Sequence, residues 1–235
     1  MFPIAILMGG FATRLGSLTL TTPKCMLPIN DKPFVYWQIQ LLKRAGFKDF
    51  IFCASHLSDE IQDYVQDGSR FGINVTYSLD GETQLGTGGA IVKALPLLGS
   101  DFAVIYGDSY LPIDYSSIEL AFKKSSALGM MSIFKNFGKF DKSNAELLSG
   151  GYVNYQKGSK DARMSYIDYG LMYFKAEVFE TLTANQAIDL ADICTQLSKT
   201  KKLMGIEVFD RFYEIGSAKG IEEFSMYLLE SKNEL

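Results

Sequence analysis

Apolar and polar positions along the first half of the chain fall into two alternating textures. Short apolar runs rich in Ile, Val, Phe and Tyr are separated by longer stretches in which apolar residues recur with helical period, the pattern of a parallel sheet with crossover helices. The runs predict strands near residues 4–8, 50–54, 74–78 and 102–106. They are continuous rather than alternating, as in strands covered on both faces. Between and after them the helical period predicts helices near residues 33–45, 58–65, 89–95 and 116–125.

After Leu128 the texture changes. "MMSIFKN", "AELLSGGYVNYQK" and "MSYIDYGLMYFK" read as strands, the second as a hairpin turning at Ser149, Gly150 and Gly151. They predict a mixed or antiparallel extension of the same sheet. Helices near residues 189–198 and 218–231 follow, with "LMGIEVF" and "RFYEIG" as short strands before the last. The fold class is therefore α/β, a mixed, mainly parallel sheet flanked by helices. No repeat, linker or compositional break splits the 235 residues, so one domain is expected, 1–235.

Hydrophobic residues at 47% and charged residues at 21% fit an ordinary globular chain. A formal net charge of −4 argues against a sequence-independent nucleic-acid or membrane-surface binder, either of which needs clustered excess Lys and Arg. Cys25, Cys53 and Cys194 are odd in number, widely spaced and without CxxC, so neither a disulfide framework nor a zinc ribbon is supported. A reduced, cytoplasmic setting is expected. The apolar start of the chain has no basic region before it and is far shorter than the roughly 18 residues of a membrane span, so neither export nor insertion is indicated. With His56 as the single histidine, any metal would be held by carboxylates, which favours magnesium.

Ligands of open α/β sheets bind outside the carboxyl ends of the strands, which singles out the residues after Met8, Ser78, Tyr106 and Tyr169. Gly9 and Gly10 close the first strand, where residues without Cβ let the backbone turn sharply and approach a ligand. Phe11, Ala12, Thr13 and Arg14 follow, then Pro23 and Lys24. Neither GxGxxG nor GxxxxGK[ST] can be placed there. The stretch is either a polyphosphate site or a plain tight turn with solvated basic residues. "TQLGTGGAIVKAL" sets Gly86, Gly88 and Gly89 at the mouth of a helix, where free N–H groups favour an anionic or polar partner; a flexible loop is the alternative. "AVIYGDSYL" ends an apolar strand in Gly107 and Asp108, aiming a carboxylate at the ligand edge. Asp after a strand is often a helix N-cap, but the next helix starts near Ser116, so a cation is the more natural partner for Asp108. Glu214 stands beside Gly216 ahead of a later helix, and Lys157 and Asp168 frame a third polar region, where a lone lysine is usually just solvated.

In this order, Gly9 to Leu15, Pro23-Lys24, Leu85 to Ala90, Gly107-Asp108 and Glu214 to Ser217, the motifs resemble those of the sugar-1-phosphate nucleotidylyltransferases. The pattern is nearest the short bacterial D-glycero-D-manno-heptose 1-phosphate guanylyltransferase-like members. The resemblance spans essentially the whole chain and implies a Rossmann-like nucleotide-diphospho-sugar transferase fold. It implies that a sugar 1-phosphate attacks the α-phosphate of a nucleoside triphosphate, giving a nucleotide sugar and pyrophosphate, as in capsule or lipopolysaccharide biosynthesis. An in-line displacement between anions needs charge neutralisation and alignment more than proton transfer. On this resemblance the catalytic residues are Arg14, Lys24 and Asp108. Gly9, Gly10, Phe11, Ala12, Thr13, Arg14, Lys24 and Gly107 line the nucleotide, with Gln84, Leu85, Gly86, Thr87 and Gly88 toward base and ribose. Of the residues that bind the sugar 1-phosphate, Lys157 meets its phosphate and Asp168 with Gly170 touches its hydroxyls, and Asp108 with Glu214 holds Mg²⁺. Residues 1–127 form the nucleotide-binding part and 128–235 the sugar-binding part.

The implied partners are a nucleoside triphosphate and a sugar 1-phosphate, with neither nucleic acid nor membrane, and a homodimer is left open. Four residues depart from the family pattern: Ala12 replaces Gly, Cys25 follows Pro23-Lys24 where Pro or a small residue is common, Glu214 replaces Asp, and Asp168 replaces Asn. The last two bear on the acceptor, not on the reaction class. No left-handed β-helix segment follows the last helix, so a single activity is expected. The alternatives are a cytidylyl-, uridylyl- or thymidylyltransferase acting on another phosphorylated metabolite, or a non-catalytic nucleotide-sugar-binding regulator.

Overall fold

The computed structural model describes residues 1–9, 22–55, 57–81, 83–140 and 142–232. Gly10, Phe11, Ala12, Thr13, Arg14 and Leu15, six of the seven residues of the first motif, lie outside the described residues.

The continuous apolar runs become the centre of a sheet that has nine strands among the described residues. β1 (Ile4–Leu7) pairs in parallel with β4 (Asp49–Ala54) on one side and β6 (Asp101–Tyr106) on the other, and β5 (Asn74–Leu79) pairs with β4. Strand geometry sends successive side chains to opposite faces, and both faces are filled. Ile4, Ile6, Phe50, Phe52, Ala103 and Ile105 join one core with α1 (Phe34–Arg44), α2 (Ser58–Val65) and α4 (Tyr115–Lys124). Ala5, Leu7, Ile51, Cys53, Phe102 and Val104 join the other, with α3 (Gly86–Leu98) and α5 (Leu190–Lys199). Two covered faces are why β1, β4 and β6 show no polar alternation, whereas β5, at the edge of the sheet, alternates exposed and half-buried positions over Asn74–Tyr77.

The second half extends the sheet antiparallel, as its texture predicts. β11 (Tyr166–Lys175) lies antiparallel to β6 and to β8 (Gly129–Lys135), and β12 (Leu203–Val208) pairs in parallel with β8. β9 (Ala145–Leu147) and β10 (Val153–Tyr155) form the expected hairpin, closed by a short 3-10 turn at Ser149–Gly151. Three strands too short to show a period were not predicted: β2 (Pro28–Ile29) and β3 (Lys32–Pro33), which pair with each other, and β7 (Ser109–Tyr110), which pairs with β13 (Tyr213–Glu214) inside the predicted "RFYEIG" strand. The "RFYEIG" strand thus shrinks to two residues, yet it positions the site. α6 (Ala218–Lys232) follows it and packs Phe224 and Leu228 into the first core. Cys25, Cys53 and Cys194 are all free and buried, and burial pushes each thiol up, Cys25 and Cys53 to about 12. Among the described residues no helix is long and apolar enough to cross a membrane.

The largest boundary difference is α3, which starts three residues before the predicted 89 and takes in the glycines themselves. A Cβ at Gly89 would run into the Gln186 carbonyl, and one at Gly86 would come within 2.7 Å of the Ile188 carbonyl. Close approach of the 186–188 backbone therefore requires glycine here. Gly89→Ala is expected to cost about 1–3 kcal/mol by overpacking, a fall in melting temperature of about 2–12 °C. A thermal melt indistinguishable from wild type would show that the contact yields freely.

Candidate active site

Three strand ends and one turn converge at the carboxyl edge of the sheet. β1 delivers Met8 and Gly9, β6 delivers Gly107 and Asp108, and β5 leads into Asp80. Gly107 lets the end of β6 cross tightly over β1, since a Cβ there would lie 2.8 Å from the Leu7 carbonyl. Gly9 is bare because Ser55 presses on it, its Oγ 2.9 Å from where a Cβ would stand; that hydroxyl donates to the Gly9 carbonyl at 3.2 Å. Gln84 Nε2 donates to the same carbonyl at 3.4 Å. Lys24 opens the 3-10 turn Lys24–Met26, and its ammonium meets Asp108 Oδ2 at 2.7 Å. These groups surround a cleft of about 280 Å³.

Asp108 is not a helix cap. Asp114 caps α4, its Oδ1 accepting from Ser116 N at 3.0 Å and Ser117 N at 3.2 Å. The turn carrying Asp108 is held from below by Gln38, fully buried, whose Nε2 donates to the carbonyls of Tyr106 and Ser109 at 2.8 Å each. From the other side the β7–β13 ribbon sets Glu214 opposite Ser109, and Ile215 N donates to the Asp108 carbonyl at 3.1 Å. Gly216 lies 3.9 Å, measured from a Cβ position, from the Lys24 ammonium. Lys24, Asp108 and Glu214, far apart in sequence, are thus brought together.

A wider groove of about 1120 Å³ runs on from the cleft, sharing Thr87, Tyr106 and Asp108 with it and taking in Lys157, Asp168 and Glu214. Lys157 is exposed and reaches Asp189 Oδ2 at 2.5 Å. Burial pushes Asp189 up, but hydrogen bonds from Lys157 and Ala191 N, the lysine charge and the Thr87 hydroxyl outweigh it and hold the carboxyl below its usual range. Asp168 accepts from Gly170 N at 2.9 Å. Among the described residues no group of three or more His, Cys, Asp or Glu forms. The carboxylates of Asp108 and Glu214, both lining this groove, offer a donor set that is all oxygen. That donor set fits magnesium, which takes one or two carboxylates and fills its octahedron with phosphate and water oxygens.

A family model described as nucleotidyl transferase matches residues 4–144, the span that builds the cleft. The chain belongs to the nucleotidyl transferase family. It is an enzyme of that family with sugar-1-phosphate nucleotidyltransferases among its relatives. It is 30% identical to D-glycero-alpha-D-manno-heptose 1-phosphate guanylyltransferase of Campylobacter jejuni, over 90% of this chain and 93% of that one. It is 40% identical to N-acetylmuramate alpha-1-phosphate uridylyltransferase of Neisseria meningitidis, over 52% of each chain. The fold is that of HddC from Yersinia pseudotuberculosis, with a TM-score of 0.81, 23% identity and coverage of 97% of this chain and all of that one.

For this nucleotidyl transferase the glycine-rich loop differs from its sequence reading in one respect. The N–H groups of Gly88 and Gly89 are not free for a ligand; both donate to the Ile188 carbonyl, at 2.8 and 3.2 Å. Leu85 N is likewise taken by Asp80 Oδ2 at 3.1 Å. The glycines serve a close approach within the protein, and beside Asp80 a second carboxylate meets this helix mouth, Asp189, reached by Thr87 Oγ1 at 3.1 Å. Gln38, Asp80, Tyr106 and Asp189 were missed by sequence reasoning. Asp189 carried a detectable signal as the N-cap of a predicted helix, and its side chain does accept from Ala191 N at 3.0 Å. What no spacing reveals is that it also joins Lys157 to the glycine loop about a hundred residues away.

Proposed function

We propose that this nucleotidyltransferase uses GTP and a heptose-type sugar 1-phosphate to make a nucleotide sugar for a surface polysaccharide, in the cytoplasm. The base and sugar follow the full-length similarity to the Campylobacter jejuni guanylyltransferase. The observation that carries the reaction is the meeting of the cleft and the groove at Asp108, beside Lys24. Two anionic substrates entering from opposite sides have their reacting phosphates at that junction.

A phosphate oxygen of the sugar 1-phosphate attacks the α-phosphorus, and the bond from that phosphorus to the bridging oxygen of the β-phosphate breaks. The electron pair leaves with pyrophosphate. Lys24 meets the α-phosphate as a point charge, and Gly9 and Gly107 let the backbone lie close to the nucleotide. Gln84 faces the base, and Lys157 with Asp168 and Gly170 receives the sugar phosphate. Enzymes of this family are generally metal-dependent. Asp108 and Glu214 would hold Mg²⁺, whose chemistry is to neutralise phosphate charge. No general base is required, since the attacking phosphate is already ionised.

The test is pyrophosphate release with each of the common nucleoside triphosphates against a panel of sugar 1-phosphates. The expected result is turnover fastest with GTP and a heptose or mannose 1-phosphate. Preference for UTP would move the chain to the uridylyl reading favoured by its second relative. Nucleotide binding without turnover on any pair would make it a binding regulator.

A further inference from the structure

The carboxyl of Asp189 ties together two parts of the site that the chain keeps far apart. Its Oδ1 caps α5, accepting from Ala191 N at 3.0 Å and from the Thr87 hydroxyl at 3.1 Å, and its Oδ2 holds the Lys157 ammonium at 2.5 Å. Thr87 Oγ1 in turn accepts from Leu190 N at 2.8 Å, Gly88 and Gly89 donate to the Ile188 carbonyl, and Ile188 N donates to the Leu85 carbonyl at 2.9 Å. The mouth of α3 and residues 188–190 thus form one hydrogen-bonded platform, and the Asp189 side chain stands on it. Lys157 reaches this platform from elsewhere, the turn after β10, where Gly158 takes φ +70° with nothing within 4 Å of a Cβ position. A long side chain on so open a turn has many rotamers, so its direction is set by the partner it holds. Among the described residues the Lys157 ammonium meets no other carboxylate. An ammonium carries three donors; Asp189 takes one, and the others are left for the groove that both residues line.

We propose that Asp189 is a positioning residue for the transfer: acting through Lys157, it fixes that ammonium to the platform beside the nucleotide, so that a sugar phosphate held by Lys157 is aligned on the α-phosphorus. This rests on reading Lys157 as the group that receives the sugar phosphate. The effect falls on alignment rather than on affinity, because the negative charge of Asp189 repels the phosphate that Lys157 attracts. An ion pair this exposed adds little to stability. Its consequence is geometric, since a misplacement of about 1 Å at a reacting group costs up to about 10²-fold in rate.

The test is steady-state kinetics of pyrophosphate release for Asp189→Asn, Lys157→Met and the double variant, with each substrate varied in turn. Asparagine caps helices as well as aspartate does, and its Oδ1 still accepts from Thr87 and Ala191 N; its amide NH₂ then faces Lys157 and no longer holds it. Asp189→Asn is expected to lower kcat at least about tenfold, without raising KM for the sugar 1-phosphate and with KM for the nucleotide and the melting temperature unchanged. In the Lys157→Met background the same change lowers kcat by less than about twofold, because the residue it acts through is gone. Asp189→Ser, another cap but too short to reach Lys157, reproduces the asparagine result and replaces it if that variant does not fold. Five results overturn the inference: unchanged kcat; a rise in acceptor KM with kcat intact; a loss spread over both KM values with a lower melting temperature; an equal loss with and without Lys157; or a Lys157→Met variant as fast as wild type. If wild type turns over no sugar 1-phosphate with any nucleotide, the proposed function falls and this inference with it, whereas those five results overturn the inference alone.

Discussion

Replacing Asp108 with alanine is expected to lower kcat by roughly 10³-fold, the several kcal/mol that charge neutralisation by a bound cation supplies to a phosphoryl transition state, while the fold persists. The fold persists because the carboxylate carries none of the local architecture. Asp114, not Asp108, caps α4, and the turn is held through main-chain atoms by Gln38 and Ile215. Binding is expected to move the other way. Without a divalent cation the Asp108 charge repels a triphosphate and competes with it for the Lys24 ammonium at 2.7 Å. Asp108→Ala should therefore bind nucleoside triphosphate at least as tightly as wild type in chelator, by calorimetry, and yet turn over little. Loss of binding together with activity would mark Asp108 as a structural residue, and unchanged activity would end its assignment to the cation.

The elements with the plainest sequence signal are those whose physics is local. Unbroken apolar runs at β1, β4 and β6 follow from burial on both faces, and the two cores divide each strand residue by residue. Asp108 at a strand end and the hairpin at Gly150 also rest on neighbours in the chain. What stayed hidden depends on distant partners. The two-residue β7 has no period to detect, and the predicted strand that holds β13 does not reveal its partner, yet their pairing is what sets Glu214 beside Asp108. Gln38 lies on an amphipathic helix where a buried amide looks like any polar position, until the carbonyls of Tyr106 and Ser109 are found above it. The glycines of α3 were legible as a helix mouth suited to a polar partner but not as a packing requirement, because the backbone pressing on them is some hundred residues away. Asp168 was read as a sugar contact by resemblance alone; its hydrogen bonds from Gly170 N and the Tyr106 hydroxyl are a property of the fold.

Lys24→Ala is expected to reduce kcat by more than tenfold, about 10²-fold if the contact strengthens fully as charge develops, with a smaller change in KM for the nucleotide. The reason lies in how the lysine is held. Its side chain is only 19% exposed and its ammonium is already engaged by Asp108. A triphosphate entering the cleft must draw that ammonium away from a carboxylate, so much of its attraction in the ground state is offset by the broken ion pair. As pyrophosphate departs, negative charge builds on the oxygens around the α-phosphorus, and the exchange becomes favourable. An interaction weak before the reaction and strong during it appears in kcat rather than in KM. Lys24→Arg should restore little, because a planar guanidinium cannot replace a compact ammonium wedged between Asp108 and the backbone at Gly216. Steady-state kinetics with the nucleotide varied at saturating sugar 1-phosphate separate the two constants. A change confined to KM would reduce Lys24 to holding the substrate, leaving the acceleration to the groups around it.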